Sequence, residues 1–157
     1  MYIRKKHEKG MDQMLENYTN ILVPVDGSEQ SEHSFKKAVS IAQRNQAKLS
    51  VVFIMDTRNV TASTPFAPAI TPDVFSDVDT AFVDQMVSFA EDAGVNANKV
   101  VTNGNPLTLI AEAFPEELGT DLIVIGATGK GAITRALVGS VSNYVVKHAP
   151  CDVLVVR

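Results

Sequence analysis

The 157-residue chain has a single cysteine, Cys151, no apolar run long enough to cross a bilayer, no internal repeat and no low-complexity tract. One cysteine rules out an intramolecular disulfide and argues against a cysteine-ligated metal, in keeping with a reducing compartment. A surplus of one sign of charge is also missing. Fourteen Lys and Arg stand against 18 Asp and Glu, a formal net charge of -4. Nothing global therefore draws the chain to nucleic acid or to an anionic membrane, and any phosphate binding has to come from a local site. The N-terminus carries Arg4, Lys5, Lys6 and Lys9, but Asp12, Gln13, Glu16 and Asn17 interrupt the stretch that a signal peptide would keep apolar. Residues 1–19 read as a flexible, solvated extension, and residues 20–157 as one domain long enough to bury a substantial core. The protein reads as soluble and cytoplasmic.

Apolar runs alternate with amphipathic stretches. Ile21 to Val25 is nearly continuous in apolar residues and stops at Asp26-Gly27-Ser28, as a strand buried on both faces does. Glu29 to Asn45 follows with Phe35, Ala38, Val39 and Ala42 on one helical face and Ser28 or Gly27 as its cap. Leu49 to Met55 reads as a second strand, Thr80 to Ala93 as a helix stopped by Gly94, and Lys99 to Thr102 as a weaker strand. Pro106 opens a third helix, which Pro115 should bend or shorten. Leu122 to Ile125 is the most apolar strand, Ser140 to His148 the last helix and Asp152 to Val156 the last strand. The alternation predicts an α/β fold, an open, mostly parallel five-stranded sheet flanked by four helices with right-handed crossovers. Thr57 to Asp79 stands apart. It holds Pro65, Pro68 and Pro72 without clear periodicity, and it leaves the second strand at the end where ligands collect, so it is placed to act as a lid.

In open α/β sheets ligands gather at the carboxyl ends of the strands, near the switch point. Two loops there carry chemistry: Pro24-Val25-Asp26-Gly27-Ser28, and Gly126-Ala127-Thr128-Gly129-Lys130-Gly131 with its closure at Gly139-Ser140. Glycines let a backbone approach a phosphate and adopt positive φ, so that successive N–H groups converge on one anion. The N-terminus of the helix at Ser140 adds unpaired N–H groups, Ser140 and Ser142 add hydroxyls, and Lys130 and Arg135 are the nearby cations. A P-loop requires Lys and then Ser or Thr after its last glycine, whereas Gly131 precedes Ala132 and Ile133. A dinucleotide fingerprint counted from Gly129 meets Thr134 where its third glycine belongs. Asp56 reads as a turn residue, with a ribose contact as the alternative by analogy with dinucleotide folds, His33 and His148 as structural, and Cys151 as a small hydrophobe.

The spacing that does occur is Gly126, two residues, Gly129, nine residues, Gly139-Ser140. With Ile21-Leu22-Val23-Pro24-Val25-Asp26-Gly27-Ser28, Gly104-Asn105-Pro106, Asp121 to Gly126 and Cys151 to Val156, it resembles the nucleotide-binding branch of the universal stress protein family, from Asn20 to Arg157. The resemblance implies a Rossmann-like fold of the adenine nucleotide alpha hydrolase type. It implies that Pro24, Val25 and Asp26 line the adenine and ribose side, and that Ile54 packs on the base. Gly126, Thr128, Gly129, Gly139, Ser140, Val141 and Ser142 would surround ribose and phosphates. It further implies a homodimer through the last strand, Val153 to Val156, an apolar edge that would be a liability if exposed.

Three functions follow as candidates. The first is ATP binding by a dimeric stress-response regulator, with Mg²⁺ or Mn²⁺ on the phosphates and a downstream protein partner that the sequence does not identify. The second is a slow ATPase or nucleotidyl transferase in which Asp26 holds a metal, and the third an interaction protein with little nucleotide dependence. Hydrolysis demands a positioned water, a base and cationic charge. The glycine loop has neither His nor Glu beside it, which favours binding over turnover.

Overall fold

Leu122, Ile123 and Val124 are at most 1% exposed, so the strand that carries them is sealed on both faces. The computed structural model describes residues 17–58, 80–130 and 138–157, together with the backbone of 2–3. Its strands are β1 (Tyr2–Ile3), β2 (Asn20–Pro24), β3 (Lys48–Asp56), β4 (Ala97–Gly104), β5 (Leu122–Gly126) and β6 (Asp152–Val156). They lie in one sheet in the order β1-β6-β5-β2-β3-β4. The contacts among β2 to β6 are all parallel, giving the open five-stranded parallel sheet expected from the alternation. The addition is β1, which pairs antiparallel with the outer edge of β6, Tyr2 opposite Leu154 and Ile3 opposite Val153. The sequence reading has no strand there.

Four helical stretches cover the two faces. On one, α1 (Glu29–Asn45) and α2 (Ala81–Asp92) pack Phe35, Ala38, Val39, Val83 and Ala90 onto Ile21, Val23, Val51 and Val124. Ser28 caps α1, its side chain accepting from the Ser31 N–H at 3.2 Å, and Gln46 ends it in the left-handed region with φ 54°. On the other face, Ile110, Ala111, Phe114 and Val145 close over Leu22, Val52, Ile123 and Val153. Val145 belongs to α5 (Ser140–His148).

The helix that Pro115 is expected to bend or shorten is irregular just ahead of it. Between α3 (Pro106–Thr108) and α4 (Phe114–Leu118) the backbone runs as a π-helical segment, Leu109–Ala113, and the Phe114 N–H bonds to the Leu109 carbonyl. Proline has no N–H for the carbonyl four residues back. Widening the preceding turn by one residue absorbs the loss, and such π-bulges recur at functional sites. Asn105 caps the start, its side chain accepting from the Leu107 N–H at 3.0 Å. The β4 strand also runs longer than its weak pattern predicts, because it pairs with β3 from Leu49↔Ala97 to Asp56↔Gly104.

One junction differs from the rest. β2 and β5 pair only at Ile21↔Leu122 and Leu22↔Ile123, whereas β5 and β6 pair over their full lengths. The chain order also reverses there, since β2 leads to β3 on one side and β5 lies on the other. Beyond Leu22 the two strands part toward their carboxyl ends and leave a crevice.

The burial pattern predicts that Ile123→Ala lowers unfolding free energy by about 2–5 kcal/mol in urea denaturation. Val101→Thr, at a position 38% exposed on the β4 edge, should stay within about 0.5 kcal/mol.

Candidate functional site

Between the parted ends of β2 and β5 lies a cleft of about 550 Å³. Pro24, Val25, Asp26, Ile54, Gly126, Thr128, Gly129, Lys130, Gly139, Ser140, Val141 and Ser142 all line it, although they come from four separate stretches of chain. Arg135 lies outside the described residues, as does 59–79, the body of the proposed lid. Val52, Ile54, Ile110 and Ile125 make one wall apolar, and the widened turn before Pro115 carries Ile110 to that wall. The glycine loop and the start of α5 add backbone and hydroxyl groups to the lining, and Asp26, Asp56, Arg58 and Lys130 add charged ones.

The three motif glycines lie at points of close approach. None has a positive φ, which among the described glycines is found at Gly27, Gly94, Gly104 and Gly119. A Cβ on Gly126 would stand 3.1 Å from the Gln30 carbonyl oxygen, and one on Gly139 would stand 3.3 Å from the Ala127 carbonyl oxygen. On Gly129 it would lie 2.6 Å from Asp26 Oδ2, well inside any tolerable contact. The positive-φ reason offered by the sequence thus gives way to a packing reason. The Gly139 N–H donates to the Ala127 carbonyl at 2.6 Å, and the buried Ser142 hydroxyl donates to the Gly126 carbonyl at 2.6 Å. Those two bonds tie the start of α5 to the end of β5. With Gly139 as its N-cap, α5 begins without a side-chain cap, so its first N–H groups and the exposed Ser140 face the cleft as donors.

Asp26 closes the crevice from the β2 side. Its Oδ1 accepts from the Ser28 N–H at 2.9 Å, and its Oδ2 accepts from the Lys130 N–H, also at 2.9 Å. The carboxylate therefore clamps its own turn and the glycine loop 104 residues downstream. Partial burial pushes this carboxyl up. Hydrogen bonds from the Ser28 side chain, the Lys130 and Ser28 backbone and the Ser31 side chain outweigh that and hold it below its ordinary value of 3.8. Both oxygens of Asp26 thus take part in anchoring the loop, and no cluster of three or more metal-ligating side chains occurs among the described residues. The Lys130 ammonium lies over Gly27, where a Cβ would come within 3.2 Å of its Nζ.

Sequence reading missed Arg58. It lines the cleft beside Asp56, its Nε donating to both carboxylate oxygens at 2.9 and 3.0 Å and its Nη2 to Oδ2 at 2.5 Å. That fork holds Asp56 below the usual carboxylate range and raises Arg58 above its own. The Asp-x-Arg spacing at a strand end was the only available signal, and a turn explains it equally well. The charges of Asp26, Asp56, Arg58 and Lys130 balance within the cleft, so extra negative charge would be met mainly by backbone N–H groups. No histidine or glutamate among the described residues lines it. His33 is exposed on α1, 4.0 Å from Glu29, and His148 stacks on Tyr144 near the end of α5 with ring centroids 3.9 Å apart. Cys151 is half-buried just before β6.

The clamp has a pH signature. A carboxyl that titrates lower when folded contributes fully at neutral pH, and the contribution is lost as pH falls from 3.8 through its folded-state value. Asp26→Asn keeps the shape and removes one acceptor, so it should cost about 1–3 kcal/mol at pH 7. Urea melts of both proteins from pH 7 to pH 3 should show that difference shrinking. A constant difference would mean that the charge does not support the loop.

A family model described as the universal stress protein family matches residues 17–157. A putative universal stress protein of Staphylococcus haemolyticus is 40% identical over 152 residues, covering 89% of this chain and 85% of that one. The solved universal stress protein UspA from Lactobacillus plantarum is 37% identical, with a TM-score of 0.75 over 90% of this chain and 99% of its own. A universal stress protein solved in complex with cAMP is 25% identical, with a TM-score of 0.64 over 90% and 98% of the two chains. With its parted β2 and β5, its Gly126, Gly129 and Gly139-Ser140 closure and this set of relatives, the chain belongs to the universal stress protein family.

Proposed function

We propose that the cleft binds ATP, and that the protein is a dimeric, cytoplasmic regulator of the stress response whose state another protein reads. The observation that carries this reading is the meeting of an apolar wall with a wall of backbone donors in one cleft. Ile54, Val52 and Ile110 offer a surface for a purine, while Thr128 and Gly129 of the loop and the uncapped start of α5 offer N–H groups to phosphates. In this reading Pro24, Val25 and Asp26 face adenine and ribose. Gly126, Thr128, Gly129, Gly139, Ser140 and Val141 surround ribose and phosphates, Ser142 fixes the start of α5, and Lys130 and Arg135 supply charge. Mg²⁺ or Mn²⁺ would arrive on the phosphates, with water completing its shell, and would partly neutralise them. The relative solved with cAMP supports an adenine ligand. The place of the apolar strand β6 at the edge of the parallel part of the sheet supports a homodimer through Val153 to Val156.

Calorimetry with ATP, AMP and GTP tests the reading. ATP should bind in preference to GTP. Gly129→Val, which drives side-chain atoms into the Asp26 carboxylate, should weaken binding at least about tenfold, equivalent to 1.4 kcal/mol. Ser140→Ala should weaken it by less. Absence of ATP affinity in the unmodified protein would remove the proposal.

Turnover is a separate question. Transfer of the γ-phosphoryl requires a group that orients the nucleophile and cations that stabilise the transition state. The described lining provides Lys130 and Arg58 and no histidine or glutamate, and Arg58 is bound to Asp56. Single-turnover incubation with labelled ATP should therefore show nucleotide retained largely intact over the lifetime of the complex. Release of phosphate faster than nucleotide dissociation would favour the slow ATPase instead.

A further inference from the structure

The outer edge of β6 carries a contact that the function above does not use. β6 is the last parallel strand of the sheet, and its Leu154, Val155 and Val156 are half-buried. An apolar strand with one free row of N–H and C=O groups is a site for strand addition. β1 occupies the middle of that row, Tyr2 against Leu154 and Ile3 against Val153. No other described residue pairs with the outer side of β6. The segment that supplies β1 precedes residues 17–157, which the family model matches.

A second copy pairing antiparallel with this edge would need the same backbone groups at Val153 and Leu154. The two arrangements exclude each other. They also differ in strength, because β1 brings two residues to the edge whereas a second β6 brings five. The cis contact is intramolecular and independent of concentration, while the trans contact is longer and gains with concentration. We propose that Tyr2–Ile3 gates self-association: the β6 edge holds either the chain's own N-terminal strand or the β6 of a second copy. This rests on the reading of β6 as the dimer seam. It assigns to the N-terminal strand the role of setting the concentration at which the protein pairs.

The test is sedimentation velocity over a concentration series on the full chain, in a Cys151→Ser background. Ile3→Pro and Tyr2→Pro should weaken the cis strand and lower the dimer dissociation constant by about tenfold or more. Tyr2→Cys with Leu154→Cys, oxidised to lock β1 in place, should stay monomeric at concentrations where its reduced form dimerises. Val155→Lys in the Ile3→Pro protein should abolish the dimer, and circular dichroism should show all variants folded. Equal dimerisation of wild type and both proline variants, with Val155→Lys still disruptive, would overturn the gate and leave the β6 seam standing. A dimer that survives Val155→Lys would overturn the seam and the gate together, as would the absence of any dimer in every variant.

Discussion

The parting of β2 from β5 is the constraint on which the site depends. Their ladder holds for two residue pairs and then ends, so the carboxyl ends of the two innermost strands stand open at the switch point. An open seam in the middle of a sheet leaves backbone groups to be satisfied and loops to be placed. Asp26 does much of that work. Its carboxylate accepts the Ser28 N–H on its own side and the Lys130 N–H on the other, which fixes the width of the cleft. The glycine loop then has a defined height above the sheet, set by Gly126 against Gln30 and by Gly129 against Asp26.

The glycine motif thereby serves two masters. Each of its glycines sits close against the protein's own atoms, Gly129 against a carboxylate with no room for a Cβ and Gly126 and Gly139 tightly against carbonyls, before any ligand is considered. The same close packing aligns backbone N–H groups and the start of α5 along one wall. Backbone donors are rigid and uncharged, well suited to holding phosphates and poorly suited to moving protons. The described side chains of the cleft reinforce that bias, because the acids there are already committed, Asp26 to the loop and Asp56 to Arg58.

The periphery follows from the same sheet. Helices seal both faces, and Pro115 is accommodated by a π turn that also delivers Ile110 to the apolar wall. What remains are the edges. β4 is an outer strand bearing Lys99, ion-paired to Asp84, and Val101 as its exposed apolar residue. β6 is more apolar and is covered in part by β1. A charged edge and a capped edge are two ways of managing the same unpaired ladder.

The order of strands and helices, the buried character of β2, β3 and β5, the cap at Ser28 and the stop at Gly94 were legible from residue pattern. They depend on neighbours within one turn or one strand. The placing of the Asp26 turn and the Gly126–Lys130 loop in one cleft was also legible, because both follow strand ends that a parallel sheet must bring to one side. Other features were decided only by tertiary structure. Arg58 reaches the cleft because β3 continues beside β4 to Asp56, past its last pairing with β2 at Val52, and the π turn arises because Pro115 meets a helix that packing keeps unbroken. Short range also hid the reason for the glycines, since the atoms they avoid are Gln30, Asp26 and Ala127, the first two about a hundred residues away in sequence. The place of β1 was equally invisible, because a two-residue strand has no period to read. Sequence alone determined that the Asp26 turn and the glycine loop would meet at the strand ends. Contacts across about a hundred residues decided how they are held, because the energies that set a loop's height come from the atoms it touches.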